Sequence, residues 1–193
     1  EPIREVLAAR LQEVGGRGRH PAAVVLDIDH TVAEWGQPVS DEGLSAMEEF
    51  LEAGEAHDSW LIFNTFAQEA LLKQRVLEPL QRRLPPDRAP RLLARTAFIV
   101  RGADDRTHQV FVWSAEAGTW VQIATFDREA GGKAEGMRRI LRHLGGTVEV
   151  LAAYGDDFED SFSDAALLGM PEIPLVVNVG PKDIRSRQDP SQR

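Results

Sequence analysis

Residues 22–32 read AAVVLDIDHTV, and the rest of the chain is organised around this stretch. From Ala22 to Ile28 the residues are apolar except for Asp27. A run of this length without polar alternation is the pattern of a strand covered on both faces. Asp27 and Asp29 close the run, and two carboxylates spaced by two at a strand end point the same way.

Outward from this strand, the chain alternates between the two periodicities. Pro2 to Val14 places Ile3, Leu7 and Leu11 at helical spacing and stops at Gly15-Gly16. Ser40 is suited to cap a helix whose first turn carries Asp41 and Glu42 and whose inner stripe is Leu44, Met47, Phe50 and Leu51. Trp60 to Asn64 (WLIFN) reads as a second buried strand. A helix follows with Leu71, Leu72, Val76 and Leu77 inward, ending near Pro85-Pro86. Between Ala97 and Thr125 the period becomes two, with Phe111 and Trp113 before a Glu-Ala-Gly turn and Trp120 and Ile123 after it, which predicts a β-hairpin. Lys133 to Leu144 returns to helix and ends at Gly145-Gly146. Val148 to Tyr154 and Pro174 to Val179 read as two more strands, with a short helix around Asp160 to Leu168 between them.

The expected fold is therefore α/β: a Rossmann-like, mainly parallel sheet flanked by helices, with a hairpin inserted at about 97–125. One domain is expected over 1–193, with its core at 20–180 and a flexible polar tail at 181–193. Hydrophobic residues at 42% and charged residues at 27% are ordinary for a soluble protein. The net charge of −9 argues against nucleic acid or an anionic membrane as a general partner. The absence of cysteine excludes disulfides and thiolate metal sites and fits a reducing, cytoplasmic setting. No apolar run approaches the roughly 20 residues that span a bilayer, and nothing at the start reads as a signal peptide. The chain opens on Glu1 rather than Met, as a sequence excised from something longer would.

In such folds ligands bind at the carboxyl ends of the strands. Asp27 and Asp29 lie there after the first strand, Thr65 after the second, and Asp156, Asp157 and Asp160 after the strand ending at Tyr154. Acids converging from separate strands carry a charge that is costly unless a cation neutralises it. An all-oxygen ligand set favours Mg²⁺ over Zn²⁺. Thr65 and Lys133 add a hydroxyl and an ammonium to the same rim, and that combination suits phosphate. Lys133 is one of three lysines, with Lys73 and Lys182.

Four segments resemble the motifs of the haloacid dehalogenase (HAD) superfamily, in the superfamily's order. VVLDIDHTV (24–32) is similar to motif I, LIFNT (61–65) to motif II, the helix opened by Lys133 to motif III, and YGDDFEDSF (154–162) to motif IV. The resemblance implies Asp27 as a nucleophile forming an aspartyl-phosphate and Asp29 as general acid and base. It implies Thr65 and Lys133 on the phosphoryl oxygens, and Mg²⁺ held by Asp27, Asp29 through its carbonyl, and Asp156. Asp160 would support the metal shell or pair with Lys133. Motif IV is most similar to that of trehalose-6-phosphate phosphatases, and LIFNT with the hairpin to sucrose-phosphate-phosphatase-like members. The interval from Thr65 to Lys133 is too short for their cap.

These features together imply a Mg²⁺-dependent phosphatase of a small phosphorylated metabolite such as a sugar phosphate. A phosphatase of bulky substrates and a non-catalytic binding module are the alternatives. The hairpin, carrying Trp113 and Trp120, is expected either to pair with another chain as a homo-oligomer contact or to lie beside the site as a vestigial lid. His30 is expected to face solvent or the substrate mouth, and His20, His108 and His143 are expected at the surface.

Overall fold

A computed structural model describes residues 2–18, 20–158 and 160–179. The chain forms α1 (Pro2–Gly16), β1 (Ala22–Leu26), α2 (Asp41–Ala53) and β2 (Ser59–Gln68). Then come α3 (Glu69–Leu72) and α4 (Glu78–Arg83), joined by a π-helical turn at Lys73–Leu77, and α5 (Ala89–Leu93). The antiparallel region is β3 (Thr96–Arg101), β4 (Thr107–Ser114) and β5 (Thr119–Asp127), and the chain continues through α6 (Gly132–His143), β6 (Glu149–Gly155) and β7 (Val176–Asn178). The strands form one seven-stranded sheet in the order β5-β4-β3-β2-β1-β6-β7. From β3 to β7 all neighbours are parallel, while β4 and β5 are antiparallel additions at one edge.

Every residue of β1 is buried, as its unbroken apolar run requires, because β2 and β6 flank it and helices cover both faces. On one face Leu7 of α1 and Met47 and Phe50 of α2 join Leu26, Phe63 and Phe98 in one core. On the other, Met137 and Ile140 of α6 pack with Ala23, Val25, Ile62 and Ile99. The start of α2 is the one expected: the Ser40 side chain accepts a hydrogen bond from the Gly43 N–H at 3.1 Å, and Asp41 and Glu42 sit at the positive end of the helix dipole.

Between β2 and β3 the helical pattern is not one regular helix. The π turn at Lys73–Leu77 inserts a residue into the helical repeat and so shifts the phase of the inward face. Leu72, Val76, Leu77 and Leu80 are buried, but Leu71 is 45% exposed, contrary to expectation, and Arg75 is buried in its place among the inward residues. No helical periodicity at 89–93 announces α5, which is only five residues long.

The hairpin also departs from expectation. It is neither a lid nor a cap remnant but a continuation of the main sheet. Because β3 runs toward the carboxyl edge, β4 returns and β5 runs forward again, the β4–β5 turn lies at the opposite edge from the β-strand ends that carry the acids. Trp113 and Trp120 flank that distant turn and face each other edge-on, with ring centroids 4.8 Å apart. Trp120 is buried, and its Nε1 donates to the Thr96 hydroxyl at 2.9 Å, at the very start of β3. The tryptophans therefore pack the far end of the sheet. The segment from Gly180 onward, including the polar tail, lies outside the described residues. No helix among the described residues is long and apolar enough to cross a membrane.

Trp120→Ala is expected to destabilise the fold by about 3–5 kcal/mol, as large-to-small changes in an aromatic core do. Denaturant unfolding checks this, and an unchanged unfolding midpoint would contradict the packing role.

Candidate active site

The site is built where the parallel strands end. Asp27 follows β1 directly and is buried, with its backbone N–H fixed by the Tyr154 carbonyl at 2.9 Å. Thr65 sits in the distal part of β2, where the register with β3 shifts between Asn64 and Gln68. Its hydroxyl accepts the Ala67 N–H at 3.1 Å, so Thr65 shapes an irregular strand end and does not cap a helix. Asp156 follows β6, and Lys133 is the second residue of α6. With Asp29, His30, Trp35 and Phe66, the carboxylates of Asp27, Asp156, Asp157 and Asp160 line a cleft of about 510 Å³.

Beneath the cleft floor, Lys133 is 1% exposed and holds two carboxylates at once: Asp164 at 2.6 Å and Asp27 at 3.2 Å. The other Asp164 oxygen accepts the N–H groups of Asp156 and Asp157 at 3.0 and 3.1 Å, which fixes the turn after β6. A Cβ on Gly155 would overlap the Asp164 carboxylate, and one on Gly132 would overlap the Phe162 carbonyl that accepts the Lys133 N–H. The two glycines therefore mark where α6 and the turn after β6 approach closely enough for the pairing. Gly132 also has a φ of +52°, in the region glycine adopts without strain.

Asp27, Asp156 and Asp164 each offer an oxygen within 4.8 Å of the others. Three carboxylates against one ammonium leave the cluster short of positive charge. The consequence is visible in Asp27, whose carboxyl burial pushes up to about 8 despite the pull of Lys133, with Asp164 and Asp156 pushing the same way. Burial and the nearby Asp164 likewise raise Asp156. Burial opposes the Lys133 charge, but Asp164 and Asp27 outweigh it and hold the ammonium above its ordinary pKa. The donor set is all oxygen, concentrated and under-neutralised, which fits a hard divalent cation.

Two expected roles are redistributed. Lys133 pairs with Asp164, and Asp160 instead takes Arg128 at 2.5 Å and the Phe162 N–H at 2.8 Å. The four-residue spacing of motif IV selected Asp160, but the turn after β6 carries its buried acid four residues later, at the start of a 3-10 turn, Asp164–Gly169. The Asp29 carboxylate lines the cleft but stays outside the buried trio. Its Oδ1 takes both Arg75 at 2.7 Å and the Gly36 N–H at 3.1 Å. Arg75, delivered by the π turn, carried no signal in the sequence beyond being one arginine among many.

Phe66 lies between two cations, with the Arg128 guanidinium 5.0 Å and the buried Lys133 ammonium 5.1 Å from its ring centroid. His108 is buried against Phe66 and Phe126, not at the surface as expected, whereas His20 and His143 are exposed. Burial, reinforced by Arg128 and Lys133, pushes the His108 imidazole down to about 4.

Among solved structures, the chain is similar to an N-terminally truncated, IMP-bound IMP-nucleotidase of Plasmodium falciparum. The TM-score is 0.50 at 11% identity, over 81% of this chain and 64% of that one. The fold is of the Rossmann-like HAD type. A second structure of the Plasmodium falciparum IMP-nucleotidase aligns with a TM-score of 0.36 at 14% identity, over 70% of this chain and 34% of that one. The chain thus spans less than two thirds of the length of these neighbours. No protein-family model and no curated protein sequence matches it. At such identity the HAD-type likeness is one of architecture, and chemistry has to be argued from the side chains above.

Two measurements probe this electrostatic arrangement. Lys133→Met leaves buried carboxylates without their cation and is expected to cost about 3–5 kcal/mol of stability, with part recovered when millimolar Mg²⁺ is added. An unaltered melting temperature would show that Lys133 does not hold the cluster together. For His108, the folded pKa of about 4 lies below the ordinary 6.5. The unfolded chain therefore gains a proton as pH falls through that window and the folded chain does not, so stability declines from about pH 6.5 toward 4, by at most about 3 kcal/mol. His108→Phe is expected to flatten that part of the acid limb in denaturation curves taken at pH 7 and pH 4.5, and parallel limbs would contradict it.

Proposed function

We propose that the chain is a phosphomonoester hydrolase in which Asp27 is the nucleophile. The observation that carries this is the Asp27 carboxylate at the end of β1, buried, held at 3.2 Å by the Lys133 ammonium and opening onto a cleft shared with Asp29, Thr65 and Asp156. Nucleophile, proton donor and oxyanion-binding groups thus meet around one point, which is what in-line transfer to a carboxylate needs.

In this mechanism an Asp27 oxygen attacks phosphorus, the bond to the ester oxygen breaks, and Asp29 delivers a proton to the departing oxygen. Arg75 on Oδ1 orients Asp29 and leaves Oδ2 without a protein partner among the described residues. Asp29 then takes a proton from the water that attacks the aspartyl-phosphate, and Asp27 is regenerated. The Thr65 hydroxyl faces the phosphoryl oxygens. Lys133 acts from below, fixing Asp27 and offsetting its charge, and not as a direct ligand of the substrate. Asp27 and Asp156, with the Asp29 carbonyl, would hold Mg²⁺, which when bound neutralises the clustered acids and the phosphoryl charge. Asp164, whose two oxygens are already engaged by Lys133 and two backbone N–H groups, is the support of that set, and Asp160 is tied up by Arg128.

A cleft of about 510 Å³ is the size that takes a small metabolite, which favours a small phosphoester over a phosphoprotein. A sugar phosphate is one such ester, supported by the spelling of motif IV.

Asp27→Asn is expected to lower kcat by about 10³-fold or more with the fold intact, since the amide is nearly isosteric and cannot attack. Mg²⁺ is expected to raise the wild-type melting temperature and to be required for turnover. Wild-type rates in the Asp27 variant would overturn the nucleophile, and full activity after exhaustive chelation would overturn the metal.

A further inference from the structure

Trp35 is 71% exposed, the most exposed large apolar side chain among the described residues, and it lines the same cleft as Asp27 and Asp29. This indole belongs to none of the buried core clusters. Its surroundings show that its position is held. The chain after Asp29 turns back at once: the N–H groups of Thr31, Val32 and Ala33 converge on the Ile28 carbonyl, and the His30 N–H takes the Ala33 carbonyl at 2.7 Å. His30 adopts a φ of +58°, a conformation uncommon outside glycine and maintained only when its surroundings require it. Its imidazole lies nearly parallel to the Trp35 indole, at 22° with centroids 6.0 Å apart.

The residues on either side of Trp35 are fastened as well. The buried Arg75 donates to the Glu34 carbonyl at 3.4 Å and to the Gln37 carbonyl at 2.7 Å, and the Gly36 N–H donates to Asp29 Oδ1. Since Arg75 also holds Asp29 Oδ1 at 2.7 Å, the loop that presents the indole and the carboxylate that faces the leaving group are joined through one guanidinium. Trp35 is therefore a flat apolar surface carried on a fastened backbone, at low entropic cost, and tied through Arg75 to the Asp29 carboxylate that faces the leaving group in the proposed mechanism.

From this we infer that the substrate is a nucleoside monophosphate, with its base lying on the face of Trp35. The inference rests on the phosphatase function proposed above and adds the substrate class. Asp27 is on the cleft floor and Trp35 is on the rim, so a ring on the indole is separated from the phosphoryl group by the depth of the cleft. A nucleotide has a sugar in that interval. An aryl phosphate does not, because its ring is bonded to the ester oxygen itself. Stacking on an aromatic face tolerates every base, so the platform selects nucleotides over sugar phosphates more than one base over another.

The test compares kcat/KM for AMP, GMP, CMP and UMP with that for ribose 5-phosphate, which keeps phosphate and sugar and lacks the base, and for phenyl phosphate. The wild-type protein with Mg²⁺ is expected to prefer the nucleotides to ribose 5-phosphate by about tenfold or more, the order that base–aromatic stacking supplies. Trp35→Ala is expected to cut that ratio about tenfold and Trp35→Phe to keep most of it. A wild-type ratio near one, a ratio unmoved by Trp35→Ala, or a Trp35-dependent preference for phenyl phosphate overturns the nucleotide assignment while leaving the phosphatase standing. Absence of Asp27-dependent turnover on every ester removes the phosphatase function and this inference with it.

Discussion

The pairing of one buried ammonium with two buried carboxylates sets the geometry of the whole acidic edge of the sheet. Lys133 reaches Asp164 and Asp27 from the first turn of α6, and it can do so only if α6 begins against the turn after β6. That requirement explains the two glycines without Cβ space and the Asn64 amide that donates to the Lys133 carbonyl at 3.2 Å. It also explains why Asp164 is saturated: a buried carboxylate needs every lone pair answered. Remove the ammonium and the ends of β1, β6 and α6 lose the reason for their mutual placement.

The parts of the fold legible in sequence were those specified by short-range pattern. The uninterrupted apolar residues of β1 fit a covered strand, and Ser40 followed by two acids fits a helix start. Asp27, Thr65, Lys133 and Asp156 stand at strand or helix ends, and locating the elements was enough to bring those four to one edge. Where the outcome depended on the path of irregular backbone, the pattern was insufficient. Asp160 and Asp164 both follow Asp156 within one turn-rich stretch, and spacing alone does not say which carboxylate is folded inward. Arg75 became a site residue through a π turn, a departure from the 3.6-residue repeat that leaves no mark in the spacing of apolar residues. The alternation at 97–125 correctly announced strands, but period two does not reveal whether a hairpin lies over a sheet or beside it.

The antiparallel strands have an indirect bearing on the site. By running forward again, β5 ends at the edge that carries the acids and hands the chain to Arg128 and then Lys133. Arg128 closes onto Asp160 and lies over Phe66. The arginine that ends the insertion thus backs two residues of the cleft lining, Asp160 and Phe66, although the hairpin's tryptophans are at the other end of the sheet.

The fastening of residues 29–37 to Arg75 has a consequence for how this protein can diversify. The turn at Gly102–Thr107 is closed mainly on its own Asp104 carboxylate, and its one backbone tie outward is the Arg106 carbonyl that accepts the Arg128 N–H. The segment bearing Trp35 is not self-contained in this way. Its backbone and the Asp29 carboxylate are satisfied by the same guanidinium, so an insertion there would withdraw hydrogen bonds from the acid as well as from the loop. Descendants of this sequence could change the side chain at position 35 freely, but not the length of the loop that carries it. Variation in ligand preference is therefore channelled into point substitution on a fixed backbone.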